Sequence, residues 1–193
     1  MDRRSDRNIG TLARKSLPGL AALALGLPLL AACSSLGGSE TAVKGCPKVQ
    51  IVRDLSEVTN FKPGPGRDFN DIQNRAALID YSGKCDYMDD GVRLTMFVTL
   101  LAERGPALEG NRGDYRYFVA VYPPNSDVPV AKTEFDTSVG FGNGQQRSGS
   151  KEELTPFIPL PKNTDASDWT VVVGFQLTPE QMAYNRSLMS GGK

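Results

Sequence analysis

Residues 92–101 read VRLTMFVTLL, and residues 169–177 read WTVVVGFQL. In the first stretch every even position is apolar: Val92, Leu94, Met96, Val98 and Leu100. In the second every odd position is apolar: Trp169, Val171, Val173, Phe175 and Leu177. Successive side chains of an extended strand point to opposite faces, so a period of two sets one face on a core. Two strands of this kind decide the fold class, and the chain is read as mainly β.

The neighbouring sequence extends the pattern. YRYFVAVY at 115–122 is aromatic and β-branched throughout, as a central strand requires. Three further strands are predicted at 46–52 (CPKVQIV), 75–81 (RAALIDY) and 128–135 (VPVAKTEF), the last at a sheet edge because of Pro129. Asp89-Asp90-Gly91 marks a hairpin turn, and Pro123 to Asp127 separates two strands. Pro63-Gly64-Pro65-Gly66 and the glycine-bearing stretch 140–150 (GFGNGQQRSGS) are read as loops. Short strands punctuated this way predict an antiparallel β-sandwich. Its architecture resembles immunoglobulin and fibronectin-type domains. The immunoglobulin order of Cys, Trp and Cys is absent, because Trp169 follows both sandwich cysteines.

Thr178-Pro179-Glu180-Gln181 carries an N-cap, a proline at the first helical position and a glutamine at the third. It predicts a short C-terminal helix over 178–189. Tyr184 and Leu188 share one of its faces, and Met182 and Met189 nearly share another. Gln181, Asn185 and Arg186 are read as an outer face that docks a protein partner. The competing reading has the helix cover an open end of the sandwich.

The first 45 residues are a different kind of sequence. Residues 1–32 hold five basic residues (Arg3, Arg4, Arg7, Arg14, Lys15) and two acidic ones, followed by the apolar run LPGLAALALGLPLLAA at 17–32. Sixteen residues are short of the ~20 that span a bilayer as a helix. Basic opening, short apolar core and small residues before a break are the parts of a secretory signal peptide, here 1–32. Leu30-Ala31-Ala32-Cys33 resembles the lipobox of bacterial lipoproteins. That resemblance implies cleavage before Cys33, a diacylglycerol on its thiol, and an acylated amino terminus that usually carries palmitate. Two or more acyl chains give stable membrane attachment. Serine rather than aspartate at position 34 implies the outer membrane, facing the periplasm, with inner-membrane retention the alternative. Residues 33–45 then form a lipidated tether, whose Ser34 to Gly45 portion spans roughly 20 Å. Residues 46–193 are the folded domain, which resembles uncharacterised bacterial periplasmic lipoproteins with an Ig-like sandwich.

With Cys33 lipidated, Cys46 and Cys85 remain. An oxidising compartment favours a disulfide between them over two free thiols. Closing a loop of 39 positions is worth about 4 kcal/mol in the chain-entropy model.

Composition removes several function classes. The chain balances 22 basic against 22 acidic residues, and beyond residue 32 the acidic residues exceed the basic by three. A nucleic-acid partner is therefore not expected. No histidine occurs, which excludes Ser-His-Asp triads, Cys-His dyads and His-ligated zinc. No metal or cofactor is expected. Ser148-Gly149-Ser150-Lys151 matches S-x-x-K, the nucleophile pattern of penicillin-binding proteins, but stands in a predicted loop without the companion motifs. Asp86, Asp89 and Asp90 have the wrong spacing for a calcium loop. Arg112-Gly113-Asp114 reads as a turn. Tyr115 and Tyr117 share a strand face and are assigned to the core. No catalytic residue is assigned. The sequence thus predicts a non-enzymatic, lipid-anchored binding or assembly module of the cell envelope. The alternatives are an envelope hydrolase, Ser/Lys or carboxylate-based, and a carrier of lipids or small molecules.

Overall fold

The computed structural model describes residues 44–190. The signal-like segment 1–32 and Cys33, with the tether up to residue 43, lie outside the described residues. Nine strands follow in chain order: β1 (Lys48–Ile51), β2 (Glu57–Phe61), β3 (Ile72–Met88), β4 (Gly91–Arg104), β5 (Arg112–Tyr122), β6 (Ala131–Gly140), β7 (Arg147–Leu154), β8 (Phe157–Pro159) and β9 (Thr170–Phe175). One α-helix, α1 (Pro179–Ser190), closes the described chain.

The strands make two sheets. One runs β1-β9-β5-β6, the other β2-β3-β4-β7, with β8 beside the hairpin end of β4. Every pairing is antiparallel except β1 with β9. The two sheets face each other as a β-sandwich. YRYFVAVY is an interior strand, and β6, which follows Pro129, is an edge.

The core is built by alternation. On β4 the inward residues Val92, Leu94, Met96, Val98, Leu100 and Ala102 are all buried, against Val171, Val173 and Phe175 of β9 and Tyr115 and Tyr117 of β5. Tyr117 stacks on Phe135 with ring centroids 5.3 Å apart, and burial pushes its phenol up to about 12. The other face of β5 and β9 is not bare. Phe118, Ala120 and Val172 form a second small core under Val52 and Leu55. A Cβ at Gly174 would stand 2.7 Å from the Leu55 Cβ, so glycine there admits the covering segment.

The β3–β4 hairpin turns on Asp89-Asp90, with Met88 opposite Gly91. Its first strand is far longer than the predicted 75–81. A bulge at Ile79 breaks its register between Leu78 and Asp80. Before the bulge the inward residues are Ile72, Asn74, Ala76 and Leu78; after it they are Cys85 and Tyr87. One extra residue switches which parity faces inward. The switch brings Cys85 to Cys46, and the two form a disulfide with Cα atoms 5.7 Å apart. Around it Asp165 accepts from the Gly45 and Ser167 backbone N–H groups, and the Tyr87 hydroxyl donates to the Gly45 carbonyl at 2.6 Å. The start of the domain is therefore pinned by one covalent bond and several hydrogen bonds.

Two expectations change. The stretch 147–150 is strand, not loop: β7 pairs with β4 from Arg147 onward. Its inward residues are Ser148, Ser150, Glu152 and Leu154, of which only Leu154 is apolar and buried, so backbone pairing forms the strand and no apolar alternation announces it. Arg112-Gly113-Asp114 begins β5 rather than forming a turn.

Removal of the staple by Cys85→Ser should lower unfolding stability by about 2–5 kcal/mol. Denaturant titration of oxidised wild type against the variant measures it, and equal midpoints would contradict the role given to the bond.

Candidate functional site

A cleft of about 620 Å³ opens at one end of the sandwich. The end of β2, the start of β3, the β4–β5 connection, the start of β5 and the first turn of α1 all reach it. Register fixes which end this is. Asn74 pairs with Arg104, and Arg112 pairs with Gly140, whereas Met88–Gly91 and Tyr122–Thr170 mark the opposite end. Lys48 pairs with Thr170, so the chain enters the domain at the end away from the cleft. Strands of eleven residues such as β5 separate the two ends by about 35 Å.

The helix start is built as the sequence predicts. The Thr178 hydroxyl accepts from the Gln181 backbone N–H at 3.2 Å, and the Gln181 side-chain oxygen accepts from the Thr178 N–H at 2.8 Å. This reciprocal box fixes the Gln181 side chain and turns its amide nitrogen towards β2. That nitrogen donates to Asn60 Oδ1 at 2.9 Å. Asn60 Nδ2 donates to Asn74 Oδ1 at 2.8 Å and reaches the Asp114 carbonyl at 3.4 Å. Asn74 is only 5% exposed. Three amides from three elements therefore form one hydrogen-bonded row along the wall of the cleft.

The charged wall is balanced. Lys62, Arg67 and Arg112 line it together with Glu109, Asp114 and Glu180. Arg112 pairs with Asp114 at 3.0 Å. Arg67 donates to the carbonyls of Gly64 and Gly66 and lies 5.2 Å over the Phe61 ring, which Tyr184 meets edge-on. Lys62 pairs with Asp71 at 2.8 Å. That hydrogen bond, with a second from the Asp68 backbone N–H, holds the Asp71 carboxyl below its ordinary 3.8.

The predicted partner surface is only partly a surface. Asn185 is buried, and its amide donates to the carbonyls of Glu57 at 2.8 Å and Asp54 at 3.3 Å. It faces the domain and caps the edge strand β2, which corrects its assignment to an outer docking face. Gln181 is half-buried and turned into the cleft, while Arg186 is exposed. The expected apolar faces do not hold the helix: Leu188 and Met189 are exposed, and only Tyr184 reaches an aromatic neighbour. The helix covers an edge strand, held largely by polar anchors.

The other motifs are dispersed. Ser148 and Lys151 stand three apart on β7 and therefore point to opposite faces. Lys151 lies over the Phe97 ring at 4.6 Å. Asp89 and Asp90 form the hairpin turn, and Asp86 pairs with Lys84. Among the described residues no group of three or more Cys, Asp or Glu is placed to hold a metal.

Asn60 and Asn74 escape the sequence reading. A signal existed for Asn74: it stands in phase with Ile72, Ala76 and Leu78, a polar side chain at an inward position. Comparison with known proteins finds no protein family, no curated protein and no solved structure that matches this chain.

Asn185→Ala should cost about 1–3 kcal/mol, because it strands two carbonyls at a covered strand edge, whereas Arg186→Ala should be nearly neutral. Thermal melts of the two variants test the corrected face. Acid has a signed effect at Asp71. Its lowered value stabilises the fold above the unfolded pKa near 4, and that contribution is lost as pH falls through the folded value. Asp71→Asn should therefore lower the melting temperature at pH 6 and make a smaller difference at pH 3.

Proposed function

We propose that this chain is a lipid-anchored, non-enzymatic binding module of the bacterial cell envelope. It faces the periplasm from the outer membrane and receives a protein partner in the polar cleft. The observation that carries the reading is the polarity of the domain. The chain enters beside the disulfide at one end, and the cleft opens at the other. A tether fixed to a bilayer through Cys33 would join the domain at the end away from the cleft.

The chemistry of the cleft supports recognition. Its wall presents amides and mutually paired charges, groups that fix the orientation of a bound surface. The docking role moves from the outer face of α1 to its first turn, where Glu180 and Gln181 line the cleft.

The anchor is tested by Cys33→Ala, which should move the protein out of the membrane fraction or leave it as precursor. The cleft is tested by a photo-crosslinking side chain at Glu109, on its rim, against one at Lys162, at the opposite end. The Glu109 probe should capture a periplasmic protein in cells. Capture from Lys162 alone would place the partner elsewhere and overturn the reading.

A further inference from the structure

The two halves of β3 are not paired alike. On the side away from β4, β2 pairs with it from Ile72 to Ala77, and the Leu78 N–H donates to the Ser56 carbonyl at 2.8 Å. From the bulge at Ile79 to Met88, β4 is its only paired neighbour among the described residues. An open strand edge is a template for another strand. Ile79, Tyr81 and Met88, three of the nine well-exposed large apolar side chains of the described residues, stand on this half strand. No other element carries as many, which singles out this edge among the open ones.

The charges on the edge choose what adds to it. Lys84 and Asp86 lie two apart on the outward face, 3.4 Å from each other, with side chains 72% and 58% exposed. Charged side chains on an edge ordinarily keep neighbours off. Lys84 and Asp86 suit one neighbour well, a second copy of themselves running antiparallel.

Register can be worked out residue by residue. Beyond the bulge Asp80, Ser82, Lys84, Asp86 and Met88 face outward, and Tyr81, Gly83, Cys85 and Tyr87 face inward, in phase with their β4 partners. Directly opposed residues share a face, so a two-fold axis between two copies must pass through a residue. An axis at Ser82 would drive the second copy into Ser56 and β2. At Gly83 it would set Asp86 against Asp80, at Lys84 the lysine against itself, and at Asp86 the aspartate against itself. An axis still nearer the turn leaves little strand to pair. At Cys85 each Lys84 meets Asp86 of the second copy, Ser82 meets Met88, and Tyr87 meets Gly83, which has no side chain to oppose it. The second copy's turn at Asp89–Asp90 then falls opposite Tyr81 and Asp80, just short of the end of β2. The like-charged meeting of Asp80 with Asp90 lies at that turn, outside the paired strands.

We infer that two copies of this chain associate edge to edge through residues 82–88 of β3, about a two-fold axis at Cys85. The interface is isologous and therefore closes as a dimer. It joins the two β4-bearing sheets into one, while each Cys85 keeps its own bond to Cys46. The two chains thus enter the dimer beside its axis. The clefts, marked by Asn74 eleven positions up the strand, lie at its two far ends, each roughly 35 Å from the axis. The dimer does not depend on what the cleft receives.

Two measurements test it. A photo-crosslinking side chain at Ser82 in the full chain should yield a covalent dimer of this chain in cells, and one at Ser138, on the far edge strand β6, should not. Sedimentation equilibrium of the full chain in density-matched detergent micelles then reads the charges. Lys84→Asp and Asp86→Lys each turn both attractive pairs into repulsive ones, so each variant should dimerise at least about tenfold more weakly than wild type. An equimolar mixture of the two variants restores both pairs between unlike chains and should associate about as tightly as wild type. Both side chains are exposed, so the melting temperatures of the monomers should stay close to wild type. A mixture as weak as the separate variants, a wild-type chain that stays monomeric at every concentration, or a dimer crosslinked from Ser138 and not from Ser82 would overturn the inference. If a variant fails to fold, the wild-type crosslinks still decide. Loss of the dimer with the Glu109 crosslink to a partner intact rejects the dimer alone and leaves the proposed function standing.

Discussion

Everything in this domain hangs on one strand whose inward face is apolar without a break. β4 presents six buried side chains in succession, from Val92 to Ala102, and carries β3, β7 and β8 on its two edges. Period-two alternation leaves such a strand a single way to lie, because a slip of one residue would put all six in water. The register of the facing sheet is constrained in the same manner by Val171, Val173 and Phe175. The remaining strands need less of their own, since pairing to a fixed neighbour supplies their backbone hydrogen bonds. That is why β7 can be RSGSKEEL and still be a strand.

The second constraint is a departure from the first. Had β3 kept its alternation to the tip of the hairpin, Cys85 and Tyr87 would face outward. The bulge at Ile79 reverses the parity, and the sandwich gains both a covalent link between its sheets and a clasp on Gly45. Ile79 itself is left 55% exposed by the same event. The bulge thus divides β3 into a half that serves the cleft and a half that serves the start of the domain.

The limits of sequence reading fall along the same lines. Strands whose own side chains fill the core, such as 92–101 and 169–177, are legible because burial writes their period into the residues. So are the capping box at Thr178–Gln181 and the turn at Asp89–Asp90, where local chemistry suffices. What is not legible depends on partners distant in sequence. β2 and β7 are edge strands organised by β3 and β4. Asn185 looks like a surface residue until Glu57 and Asp54, more than a hundred positions away, claim its amide. The amide row needs residues 60, 74 and 181 together, and only the fold assembles them.

One arrangement has a mechanical reading. Cys46 is the second residue after Lys44, so a pull on the chain that precedes the domain passes almost at once through the disulfide to Cys85 and bypasses β1. Cys85 and Asn74 lie on the same strand, β3, eleven positions apart. Tension applied at the first residues of the domain and resisted at the cleft would therefore run along one continuous strand. That strand is paired with β4 from Asn74 to Met88, and with β2 on its other side over residues 72–77. Its hydrogen bonds would be loaded in shear, many at once, rather than peeled one by one. A domain strung between a fixed point and a bound partner would in this way carry the load along its longest strand.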